Sequence, residues 1–94
     1  MDLGIYAWLR GSKYRLSFLK ALSKGPMLPS ELATRFKINR SSVSRTLSEL
    51  ENQALISKSK SSSRTIAYFA TDKGRKLLKD ISQVEINRKE GGLH

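Results

Sequence analysis

The stretch Asn39-Arg40-Ser41-Ser42-Val43-Ser44-Arg45-Thr46-Leu47-Ser48-Glu49-Leu50-Glu51 carries two patterns at once. Asn39 suits a helix N-cap, because its side-chain oxygen can accept an orphan amide of the following turn. From Arg40 to Gln53, Val43, Leu47 and Leu50 recur on one helical face, and Ser41, Ser44, Arg45 and Ser48 fall on the other. The apolar face predicts burial. The opposite face is unusual, because Glu and Lys form helix more readily than serine and would serve a merely hydrated surface better. Five serines and threonines in nine residues therefore read as a contact surface.

The flanking sequence supplies the remaining elements. Upstream, Pro29 suits a first helical turn, and Leu32, Ala33 and Phe36 form a short apolar stripe that ends near Lys37. Before it, Ser12 is the expected cap of a helix running to Lys24, with Tyr14, Phe18, Leu19, Ala21 and Leu22 as its stripe and Gly25-Pro26 as its stop. Downstream, Leu55–Lys58 and Thr65–Ala70 read as two strands flanking the tract Ser57-Lys58-Ser59-Lys60-Ser61-Ser62-Ser63-Arg64, a hairpin with a polar, basic tip. Thr71 then caps a last helix, with Leu77, Leu78, Ile81 and Val84 as its stripe and Asp72 at its positive end. Gly91-Gly92 marks a frayed tail. The order α-α-α-β-β-α, mainly α with a small β-hairpin, is that of a winged helix-turn-helix in a single domain. It divides the chain into an N-terminal apolar arm (1–11), the winged helix (12–81), and the end of the last helix with its tail (82–94).

Composition narrows the class of partner. The chain has 94 residues, 18 Lys and Arg against 8 Asp and Glu, a net charge of +10 and no cysteine. Such an excess of positive charge on one small domain points to a polyanion, with nucleic acid ahead of an anionic membrane surface. Without cysteine there is neither a disulfide framework nor a thiolate metal site, and the single histidine, His94, is terminal, so no metal and no other cofactor is expected. Ile5-Tyr6-Ala7-Trp8-Leu9 is far shorter than the roughly 18–20 apolar residues that cross a bilayer, and it lacks the flanks of a signal peptide. A cytoplasmic chain without a membrane partner is the expectation. No carboxylate pair, Ser/His/Asp or Cys/His set, or glycine-rich phosphate loop is present, so no enzyme activity is expected.

With these elements in order, the sequence resembles the small winged-helix transcription regulators of archaea and bacteria, the broad group holding the MarR-like and ArsR-like repressors. The resemblance runs from about Ser12 to Ile81. It is carried by Pro29-Ser30-Glu31-Leu32-Ala33, by residues 39–51, by Leu55-Ile56 and by Phe69-Ala70-Thr71-Asp72-Lys73-Gly74-Arg75. Members of that group commonly have glycine where this chain has Lys37 and Ala54. Asn52 is then the expected left-handed stop of the third helix, because asparagine tolerates that conformation. The metal sensing of ArsR-like members has no Cys or His ligands to use here.

The resemblance implies a double-stranded DNA partner and gives the serine-rich helix the role of recognition helix. Arginine can fork onto guanine O6 and N7, and small hydroxyls can reach phosphates or base edges. Arg45 is the expected base-edge or flanking-phosphate contact, and Arg40, Ser41 and Ser42 face the backbone near the helix N-terminus, with Ser44 and Ser48 along the same surface. In the wing, Lys58, Lys60, Ser62 and Arg64 are expected on phosphates, with Arg64 able to enter a narrow minor groove. Lys13 and Arg15 read as ordinary surface charge. Tyr6, Trp8 and Leu9 either cover the chain's own core or pack against a second subunit with Ile81, Val84 and Ile86; a homodimer interface is the expectation, and a two-fold protein would read half-sites about 34–36 Å apart. The other readings compatible with the sequence are a protein-interaction adaptor built on the same fold and a non-specific chromatin or RNA-binding protein. Neither the sign of regulation nor any small-molecule effector is legible.

Overall fold

In the computed structural model, which describes residues 2–60 and 65–91 and the side chains of 2–59 and 65–85, the capped serine-rich segment is a helix as expected. The elements are α1 (Leu3–Arg10), α2 (Arg15–Ser23), α3 (Pro29–Phe36), α4 (Arg40–Asn52), β1 (Ile56–Lys60), β2 (Ile66–Ala70) and α5 (Asp72–Gly91). Asn39 caps α4 by accepting the Ser42 amide at 2.8 Å, and Val43, Leu47 and Leu50 are buried. Strands β1 and β2 pair antiparallel with Ile56 opposite Ala70 and Lys60 opposite Ile66. Met27 adds a single bridge to Tyr68, through reciprocal backbone bonds of 3.0 and 2.9 Å, which ties the entry to α3 onto the hairpin.

The winged-helix order is present, with one helix more than expected. Residues 3–10, read from the sequence as an apolar arm, form α1, capped by Asp2, whose carboxylate accepts the Gly4 amide at 2.8 Å. Its Leu9 is fully buried in the common core with Phe18, Leu19, Leu22, Leu32, Leu50 and Ile81. Ser12 is not a cap: residues 11–14 turn, and α2 begins at Arg15 behind Tyr14 with no side-chain cap. The turn is set by packing, because Tyr14 joins Phe18 and Phe36 in an aromatic cluster with ring centroids 5.1–6.1 Å apart.

The two helix stops correct a second expectation. Lys37 (φ 55°) and Ala54 (φ 59°) are themselves the left-handed residues, and Asn52 is simply the last residue of α4. After α4, the Leu55 amide bonds the Leu50 carbonyl at 3.1 Å and the Ala54 amide bonds that of Glu51 at 2.9 Å, a Schellman closure. A left-handed Ala costs about 1–2 kcal/mol. Full burial of Leu55 in the common core, just after this reversal, returns about 1.5–3 kcal/mol. Packing wins over backbone preference.

Helix α5 starts against the base of the hairpin. The Thr71 hydroxyl donates to the Ala54 carbonyl at 2.7 Å and accepts the Gly74 amide at 3.1 Å, so it caps α5 and anchors it in one stroke. A Cβ at Gly74 would fall on the Leu55 carbonyl oxygen, and glycine is what lets the two backbones meet. Leu77 and Ile81 are buried beneath, with Leu78 packed at the core's edge.

Candidate nucleic-acid interface

Helix α4 sorts its side chains by sign and size. Its inner face buries Val43, Leu47 and Leu50, and Arg40, Ser41, Ser44, Arg45 and Ser48 are exposed. Ser42 is half-buried at the N-terminus, where its amide serves the Asn39 cap and its carbonyl accepts the Thr46 hydroxyl at 2.9 Å. Thr46 is thus a correction to the contact surface: it is 6% exposed and turned into the core. The remaining surface is a run of small hydroxyls with two arginines, shallow enough for a backbone to approach and armed with forked donors.

A second group comes together only in the fold. An open groove of about 300 Å³ is lined by Leu28, Pro29 and Ser30 at the start of α3, by Arg40, and by Thr65 and Ile66 at the foot of β2. Ser30, Thr65 and Ile66 escaped the sequence reading, because residues 30, 40 and 65 have no local pattern in common. The start of α3 is capped there: Glu31 reaches back to accept the Leu28 amide at 2.8 Å across the first turn, which carries Pro29 and Ser30. The lining combines two hydroxyl-bearing residues with an arginine, a set whose chemistry suits a phosphate.

In the wing, Lys58 projects from β1 with half of its side chain exposed, 3.9 Å from Glu51. Lys60 lies in β1 opposite Ile66, but its side chain, like Ser62 and Arg64, falls outside the described residues.

Arg15, expected as plain surface charge, is a clamp. Its Nη1 donates to the Trp8 carbonyl at 2.7 Å, its Nε and Nη2 donate to the two Glu49 oxygens at 3.3 Å each, and its guanidinium lies 4.2 Å from the Trp8 ring centroid. Its side chain is only 17% exposed. It therefore joins α1, α2 and α4. Lys13, by contrast, is exposed, with its ammonium over the Tyr14 ring.

Of the expected dimer residues, Leu9 and Ile81 are consumed by the chain's own core. Tyr6, Trp8 and Val84 are half-buried, Tyr6 and Trp8 packed against the edge of that core, and Leu3 is 71% exposed on α1. Among the described residues no group of His, Cys, Asp and Glu could hold a metal ion, and no helix is long and apolar enough to cross a membrane.

Comparisons with known proteins agree with this fold. A search of curated proteins returns no match. Among solved structures, the chain is similar to the transcriptional regulator BldR from Sulfolobus solfataricus, with a TM-score of 0.73 and 25% identity over 96% of this chain and 77% of that one. It is similar to a variant of Lactococcus lactis ZitR (TM-score 0.73, 19% identity, 88% of this chain) and spans 62% of that chain's length. It is also similar to reduced HlyU from Vibrio cholerae (TM-score 0.71, 18% identity, 87% of this chain and 86% of that one). The fold is that of the winged-helix transcription regulators, and the MarR-like resemblance drawn from residues 29–75 is borne out. The model of one family, described as the HVO_A0261 N-terminal domain, matches residues 5–90, so the chain belongs to that family.

Proposed function

We propose that the chain is a sequence-specific, double-stranded DNA-binding transcription regulator that acts in the cytoplasm as a homodimer and catalyses no reaction. Helix α4 enters the major groove, and the wing residues 58–64 follow the backbone or the minor groove. The observation that carries this reading is the two-sided α4: an apolar inner face welded to the core and an outer face of Arg40, Ser41, Ser44, Arg45 and Ser48 left open. Arg45 reads a base edge. Arg40, with Ser41, Ser42, Ser30 and Thr65, takes phosphates beside the groove. The net charge of +10 supplies affinity without sequence preference, and α4 supplies the preference. The exposed Leu3, with the remaining accessible edges of the half-buried Tyr6, Trp8 and Val84, supports pairing of two copies through α1 and α5.

The test starts with a random-sequence duplex of 30 base pairs, titrated by fluorescence anisotropy across a salt series beside an RNA duplex of matched sequence. Each phosphate neutralised contributes about −0.9 to the slope of log K against log salt. The expected result is a slope worth several phosphates on DNA and weaker binding to RNA. A duplex chosen by selection from a random pool then serves for Arg45→Ala, which should lose about 1–3 kcal/mol on that duplex and much less on the random one. Arg64→Ala should weaken both alike. Equal losses from the two substitutions would make the protein a non-specific binder, and no salt-dependent binding would leave the adaptor reading in its place. Sedimentation that returned a monomer at micromolar concentration would remove the dimer.

A further inference from the structure

The clamp at Arg15 bears on Arg45, although the two residues do not touch. Glu49 lies four residues after Arg45 on α4, and at that spacing the two side chains share one side of the helix and attract each other as an ion pair. Arg45 is nevertheless exposed, and no ion pair or hydrogen bond of its side chain is found among the described residues. Both Glu49 oxygens are instead held by Arg15, which is itself fixed by the Trp8 carbonyl and ring. An arginine held from three directions loses little further freedom on bonding a carboxylate, so it outcompetes a solvent-exposed arginine for the same partner.

We propose that Arg15 is a positioning residue for DNA binding: by holding Glu49 it keeps the Arg45 guanidinium free to meet the nucleic acid. This rests on the DNA-binding reading above. Without Arg15, Glu49 becomes an unpaired carboxylate beside Arg45 and draws that guanidinium inward, away from the nucleic acid. The charge of Glu49 then does harm that it does not do in the intact protein. The same contacts make the state of α1 matter to α4, because Trp8 supplies two of the three groups that hold Arg15.

The experiment compares the intact chain with Arg15→Gln, Glu49→Gln and Arg15→Gln/Glu49→Gln on the duplex selected with the unsubstituted protein, at a temperature where melting curves show each variant folded. Arg15→Gln should bind about three- to fivefold more weakly, with an unchanged salt slope, because a direct phosphate contact would instead cost about 0.9 in slope. The double variant should return to within twofold of the intact chain while melting no higher than Arg15→Gln. A merely structural role would leave binding and melting to fall together. In an Arg45→Ala background Arg15→Gln should have no further effect, whereas a general loss of positive charge would weaken binding there as well. Glu49→Gln alone should bind at least as tightly as the intact chain, which keeps the test open if Arg15→Gln does not fold. Wild-type binding by Arg15→Gln, an unrescued double variant, or weakened binding by Glu49→Gln would each overturn the inference. An intact chain that binds no duplex would overturn the DNA-binding reading and this one with it.

Discussion

Helices α1 and α4 cover the same core, yet one is plain in the sequence and the other is hidden. Helix α4 runs 13 residues, long enough for three buried apolar positions to repeat and for a polar face to show opposite them. Helix α1 runs 8 residues and buries only Leu9 completely, so its stripe has no repeat to detect. Both carry a side-chain cap, Asn39 and Asp2, each accepting an amide at 2.8 Å. The lesson is one of length: a cap and a single buried leucine make a helix once a core exists to receive it, but two turns leave little periodicity to recognise.

Equivalence in the core is the part of this comparison with the largest stakes. Leu9 and Leu50 are both fully buried, so Leu9→Ala and Leu50→Ala should each destabilise by about 2–5 kcal/mol in urea denaturation. A loss below about 1 kcal/mol for Leu9→Ala alone would return α1 to the status of a detachable arm. The caps should separate the helices more gently. Asn39→Ala should cost about 1 kcal/mol, because it frees an amide at the start of a helix anchored on both sides by packing. Asp2→Ala, at an exposed cap of a two-turn helix, should cost about 0.5 kcal/mol. Equal losses would mean that α1 is held as firmly at its start as α4.

The smallest effect runs in the opposite direction. Ala54→Gly relieves the left-handed residue after α4 at the expense of a more flexible unfolded chain, for a net gain of about 0.5 kcal/mol. In a domain of this size that is a rise in Tm of about 2–4 °C, readable by thermal melting. Lys37→Gly should behave alike at the stop of α3. A fall in Tm at either position would show that the bond pattern of the closure, rather than the conformation of that residue, holds the stop.

The serine-rich face was legible because it combines a cap, a period and a residue choice that local helix propensity disfavours. Arg40, Ser41, Ser44, Arg45 and Ser48 are accordingly where the sequence places them. Thr46 was not, because one position on the flank of a helix turns inward or outward according to what packs beside it. Ser30, Thr65 and Ile66 were invisible for a different reason: the groove they share with Arg40 exists only once α3, α4 and β2 have met.

By itself, the sequence determined the helices and strands from residue 29 onward, the caps at Asn39 and Thr71, the apolar faces of α4 and α5, and a net charge suited to a polyanion. These follow from spacing, propensity and charge, which are local or additive. The tertiary structure alone decided that Lys37 and Ala54 turn left-handed, because the burial of Leu55 outweighs the strain of the second turn. It also decided that Arg15 leaves the surface to hold Glu49 and Trp8. An ion pair between residues 34 apart has no local signature; it forms because three helices packed on one core bring the charges together.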